Sequence, residues 1–151
     1  MMMNKKKKII TGTLIAVVVI IAIPLGLYIA GNTFYSDTRI YEQYWKINVP
    51  RAAKEKYNIN TPTSFHGDGY RFTSFELKSA DSPLLSGASN DKSSSMQNEV
   101  TSILDSLNAE KKQYPNFNHT YLWKSMSQHE NKLYIIYDKD LSMLYFAQQT
   151  M

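Results

Sequence analysis

Leu133-Tyr134-Ile135-Ile136-Tyr137-Asp138-Lys139-Asp140-Leu141-Ser142-Met143-Leu144-Tyr145-Phe146-Ala147 reads as two strand-forming runs around a polar turn. β-branched and aromatic residues fill Leu133 to Tyr137 and Met143 to Ala147, and Asp138-Lys139-Asp140 separates them, which predicts a hairpin. Side chains alternate across a strand, so Leu133, Ile135 and Tyr137 share one face while Tyr134 and Ile136 take the other. If one face packs on a core, the other presents Tyr and Ile to solvent. Tyr134, Ile136 and Tyr145 are therefore expected as a partner surface.

Upstream, Tyr121-Leu122-Trp123 is a third β-like run, and the segment before it is a helix. Met96, Val100, Ile103, Leu104 and Leu107 recur at helical spacing. Ser95 is the expected N-cap, Glu99 complements the first turn, Lys111 and Lys112 suit the C-terminal end, and Pro115 closes it. Residues 78–95 are mostly Ser, Ala, Asp, Asn, Lys and Gly and read as a polar loop outside any core. Phe65 to Leu77 reads as strand around a Gly67-Asp68-Gly69 turn. Beyond that turn Tyr70, Phe72 and Ser74 face one way, and Arg71, Thr73, Phe75 and Leu77 the other. Pro50 followed by Arg51-Ala52-Ala53-Lys54-Glu55-Lys56-Tyr57 predicts a short helix over about 51–57. Tyr41 to Val49 reads as a helical turn passing into a strand, and 31–40 as a linker. The region 41–151 is thus expected to be a small α+β domain with a few antiparallel strands and one or two helices.

The remaining stretch is of another kind. Ile9 to Ala30 carries no charge over 22 residues. As a helix it would span about 33 Å, against a hydrocarbon core of about 30 Å. Lys5, Lys6, Lys7 and Lys8 precede it, while Arg39 and Lys46 are the only cations in the next 20 or so residues. The positive-inside rule then places residues 1–8 in the cytoplasm, 9–30 across the bilayer and the rest outside the cell. Pro24 falls within the span, and Tyr28, Phe34 and Tyr35 near its outer boundary. A cleaved signal peptide would have a shorter apolar core, and cleavage after Ala30 would put Tyr28 at the −3 position, so an uncleaved anchor is the reading. In layout the chain resembles small anchored extracytoplasmic proteins of Gram-positive bacteria, a likeness that no motif carries.

Composition removes several functions. The chain has no cysteine, which excludes disulfides, thiolate metal sites, a Cys nucleophile and a thioether lipid anchor. Net charge is +4, with 17 Lys/Arg against 13 Asp/Glu. The four tail lysines account for the whole excess, so no basic face for nucleic acid is expected. Phe65-His66-Gly67-Asp68-Gly69-Tyr70 is the most distinctive string, with His66 and Asp68 as a possible loop site. Two glycines around an aspartate are also what a tight turn requires. His66, His119 and His129 lack the close spacing of a metal motif, and Asp138 and Asp140 read as solvated turn carboxylates without calcium-loop spacing. Asn118-His119-Thr120 matches the glycosylation sequon by chance. No cofactor is implied. The expectation is a non-enzymatic binding or accessory module of the bacterial cell envelope, whose partners are the lipid bilayer and a membrane or envelope protein. Its rivals are a small envelope enzyme built on His66 and Asp68, and a single-span regulatory or immunity subunit.

Overall fold

The computed structural model describes residues 20–24, 37–62 and 68–151. The chain divides into two units, Met1–Ile40 and Tyr41–Met151. In the first, residues 20–24 are helical, with Ile20, Ile21 and Ile23 exposed. Most of the apolar 9–30 stretch, the lysine run 5–8 and most of the expected linker lie outside the described residues. Among the described residues no helix is long and apolar enough to cross a membrane.

The described chain is mixed α+β, built on a five-stranded antiparallel sheet whose strands lie in the order Lys54–Asn60, Gly69–Glu76, Met143–Thr150, Asn131–Asp138, Tyr121–Gln128. Helix α1 is Asp37–Trp45. Strands β1 (Lys54–Asn60) and β2 (Gly69–Glu76) pair first. A 3-10 turn at Pro83–Leu85 and helix α2 (Ser94–Ser106) follow. Strands β3 (Tyr121–Gln128), β4 (Asn131–Asp138) and β5 (Met143–Thr150) form a meander, and β5 closes on β2.

Both faces of this sheet are covered. On one, Leu133, Ile135, Tyr137, Leu144, Phe146 and Phe75 pack with Tyr41, Trp45, Val49, Leu84 and Leu85. The Tyr41 ring meets Phe146 edge-on at 4.7 Å between centroids, and its hydroxyl shares a 2.9 Å hydrogen bond with Thr73. On the other, Phe72, Tyr134, Ile136, Tyr145 and Ala147 lie under Met96, Val100, Ile103, Leu104 and Leu107. The continuous apolar run of β4 is the signature of a strand buried on both sides, which a one-sided hairpin does not need. The expected outward Tyr/Ile face is accordingly absent: Tyr134, Ile136 and Tyr145 are all buried, because α2 lies over them.

Helix α2 follows the predicted stripe, with two corrections at its ends. Ser93 rather than Ser95 is the N-cap, its hydroxyl accepting from the Met96 amide at 3.3 Å. The helix stops well before the lysines. Asn108 takes the left-handed conformation (φ 53°), and the Asn108 and Ala109 amides donate to the Asp105 and Leu104 carbonyls, both at 3.0 Å. That is a Schellman closure with Asn in the usual Gly position. Lys111 and Lys112 fall in a separate 3-10 turn, Lys111–Gln113.

Two other expectations are overturned. The helix over 51–57 is instead a tight turn, closed by Ala53 N–H to Pro50 O at 2.8 Å, running into β1. Helix preference among such residues is worth only tenths of a kcal/mol each. Pairing with β2 and packing of Tyr57 and Ile59 outweigh it. A bulge between Glu55 and Tyr57 and the charges Lys54, Glu55 and Lys56 keep this sheet edge from recruiting another strand. The polar segment 78–95 also contributes to the core. The Ser82 hydroxyl caps the 3-10 turn by accepting from the Leu84 amide at 3.2 Å, which buries Leu84 and Leu85. Ser89 then exchanges two 2.8 Å backbone hydrogen bonds with Trp123 on the open edge of β3. Helix α1 takes in the last residues of the expected linker and continues to Trp45, and residues 46–49 form no strand.

Leu104 is fully buried, so Leu104→Ala should cost about 2–5 kcal/mol in urea unfolding. Ser93→Ala should cost about 1 kcal/mol through the lost cap, and Ser95→Ala under about 0.5 kcal/mol. The reverse order for the two serines would contradict the capping assignment.

Candidate functional site

His66 lies outside the described residues, so the expected His66/Asp68 loop site is described only at Asp68 and Gly69. Asp68 is exposed and Gly69 opens β2. Gly69 does not adopt positive φ. It is needed for another reason: a Cβ there would sit 2.3 Å from the Thr61 hydroxyl. That hydroxyl accepts from the Tyr70 amide at 3.0 Å while the Thr61 amide donates to the Tyr70 carbonyl at 2.9 Å. The close approach of β1 and β2 thus accounts for this glycine.

Two polar constellations lie elsewhere. The first borders a groove of about 300 Å³ where the first turn of α2 meets β3 and β4, lined by Ser93, Ser95, Glu99, Trp123, Lys132 and Tyr134. The Glu99 carboxylate accepts from the Tyr134 hydroxyl, from Lys132 Nζ at 2.9 Å and from Ser95 Oγ at 3.3 Å. These donors, Tyr134 first and then Lys132, hold Glu99 below the usual carboxylate range. Burial and the neighbouring Glu99 raise Tyr134 far above the ordinary phenol value. Burial, helped by the charge of Asp138, pushes Tyr145 up to about 12. Tyr134, expected to meet a partner, instead ties the helix to the sheet.

The second constellation sits at the far end of the meander, where the residues leading into β3 meet the β4–β5 turn. Asp138, the last residue of β4, is 1% exposed. Its Oδ1 accepts from the Asp140 and Leu141 amides at 2.9 and 3.0 Å, and its Oδ2 lies 2.7 Å from His119 Nδ1. The other ring nitrogen, Nε2, is 2.8 Å from Asn116 Nδ2. The Asn116 amide oxygen accepts from the Asn118 amide at 3.1 Å, which fixes the amide orientation. Nε2 is therefore an acceptor, and the neutral ring carries its proton on Nδ1, directed at Asp138. Asp140 Oδ2 accepts from the Thr120 amide at 3.2 Å, and the Lys139 amide donates to the Thr120 carbonyl at 2.9 Å. One donor atom each from His119, Asp138 and Asp140 lie within 4.8 Å of one another.

The sequence contains these residues but conceals their meeting. His119 is 19 residues from Asp138, so no local spacing links them. Asp138 reads as a solvated turn carboxylate, yet it closes the turn by accepting backbone amides and is covered in doing so. The usable signal is the strand pairing: Tyr121 faces Asp138 across β3 and β4, which brings the residues just before Tyr121 to the β4–β5 turn. His129 sits at the opposite end of the meander, at positive φ in the two-residue β3–β4 turn. No protein-family model, curated protein or solved structure matches the chain.

Asp138→Ala should destabilise by about 3 kcal/mol, since it removes a buried acceptor of three hydrogen bonds. Asp140→Ala, at an exposed residue, should cost under about 1 kcal/mol in the same urea unfolding. Equal losses would contradict the distinction between them. Glu99 supplies a pH test. Its lowered folded-state pKa stabilises the fold above the ordinary glutamate value near 4.5, and that contribution is lost as pH falls through the lowered value. Between about pH 6 and about pH 3, Glu99→Gln should therefore lose less of its urea midpoint than the unsubstituted protein. Identical losses would remove Glu99 from the account.

Proposed function

We propose that this protein is a single-pass, membrane-anchored extracytoplasmic module of the bacterial cell envelope, non-enzymatic, that binds or assists a membrane or envelope protein. The observation that carries the reading is the order of three unlike segments: four consecutive lysines, 22 uncharged residues, and a separate folded unit from Tyr41 onward. Charged groups are expensive in hydrocarbon and lysine is retained on the cytoplasmic side. On this reading Lys5–Lys8 lie in the cytoplasm, residues 9–30 in the bilayer and the unit Tyr41–Met151 outside. The folded unit suits exposure without disulfides, because its sheet is closed by apolar packing on both faces. No cofactor and no nucleic acid enters this reading.

A reporter enzyme active only outside the cytoplasm, fused after Met151, should be active, and the protein should stay in the membrane fraction through a carbonate wash. Replacing Lys5–Lys8 with glutamate should reduce or invert the reporter signal. A cytoplasmic C-terminus, release by carbonate, or a mature protein starting near Gly31 would each overturn the proposal.

A further inference from the structure

The geometry points to a divalent transition-metal site at the His119–Asp138–Asp140 cluster, and we propose that it takes Zn²⁺. Two carboxylates converge there on a single imidazole. Among the described residues, the side-chain partner of Asp138 is His119, and no lysine or arginine pairs with Asp138 or Asp140. A buried carboxylate and an exposed one share a single imidazole at the end of the sheet, with no lysine or arginine beside them. A cation is the species that such a donor set would take.

The donor set selects the ion. One imidazole nitrogen with two carboxylate oxygens suits zinc and its first-row neighbours. Calcium takes six to eight oxygen ligands, and magnesium keeps mostly water. Bonds of about 2.0–2.2 Å to tetrahedral zinc place ligand atoms about 3.4 Å apart. His119 Nδ1 and Asp138 Oδ2, now 2.7 Å apart, would open modestly, and the Asp140 carboxylate would close from within 4.8 Å. The main chain already braces two ligands: amides of residues 140 and 141 hold Asp138 Oδ1, and the Thr120 amide holds Asp140 Oδ2. Three protein ligands leave the fourth position to water or to a donor from a partner.

Metal at Nδ1 requires the ring proton to move to Nε2. Asn116, 2.8 Å from Nε2, can follow that change. Turning its amide over gives up the bond from the Asn118 amide and presents oxygen to the new N–H, the outer hydrogen bond that metal-bound histidines make. Asn116 is thereby a positioning residue for the metal-loaded ring.

The test is calorimetric titration of the purified full-length protein, first stripped with EDTA, with Zn²⁺, Mn²⁺, Ca²⁺ and Mg²⁺. One equivalent of Zn²⁺ should bind, and Ca²⁺ and Mg²⁺ should not compete at equal concentration. His119→Gln and Asp140→Asn should each abolish that equivalent, with far-UV circular dichroism unchanged to show that both variants fold. Asn116→Ala should weaken it about 10- to 100-fold. Histidine NMR should report proton transfer from Nδ1 to Nε2 at His119 when zinc is added. His66→Ala and His129→Ala should leave the stoichiometry intact. No zinc binding, binding that persists in both folded ligand variants, or binding lost instead with His66 or His129 would overturn the proposal.

Discussion

Strands β2, β5 and β4 form the centre of the sheet, and their large buried side chains are mostly apolar on both faces. Leu133, Ile135 and Phe146 are fully buried on one face, as are Phe72 and Ala147 on the other. Such a sheet gains from burial only when each face has a cover, since apolar area is stabilising in proportion to what leaves water, about 25 cal/mol per Å². The rest of the described domain answers this requirement. Tyr41 and Trp45 of α1, with Leu84 and Leu85, cover one face, and the stripe of α2 covers the other. Both covers come from segments whose own composition is largely polar, and each reaches the core with a few large side chains.

Apart from buried groups such as Thr73, which meets the Tyr41 hydroxyl inside one face, two polar constellations lie toward opposite ends of the meander. At one end the Glu99 carboxylate gathers Tyr134, Lys132 and Ser95, joining the N-terminal half of α2 to β4. At the other, Asp138 organises the β4–β5 turn through two backbone amides and reaches His119 ahead of β3. The two arrangements differ in their partners. Glu99 has a lysine beside it, whereas Asp138 and Asp140 share a histidine. That difference separates a polar tie from the donor set proposed for a metal ion.

The hairpin from Leu133 to Ala147, the face assignment of Tyr70 to Leu77 and the stripe of α2 were legible in the sequence. In each, a run of five or more residues keeps one periodicity, and that periodicity is local. The β1 strand was not legible. Lys54, Glu55 and Lys56 are good helix formers, and only the β2 partner makes them extended. The buried leucines of the 78–95 segment were hidden for a similar reason: two apolar residues among many small polar ones have no period to reveal them.

The sequence by itself determined the mixed α+β class, the main hairpin, the absence of any disulfide and the concentration of excess positive charge in Lys5–Lys8. These follow from composition and from short-range alternation, which need no knowledge of distant residues. Only the tertiary structure decided that both faces of the sheet are covered, that Tyr134, Ile136 and Tyr145 are internal, and that His119 meets Asp138 and Asp140. Each of those depends on which segments lie against each other across tens of residues. Alternation says that a strand has two faces, but whether the second meets water or a helix is fixed by where that helix packs.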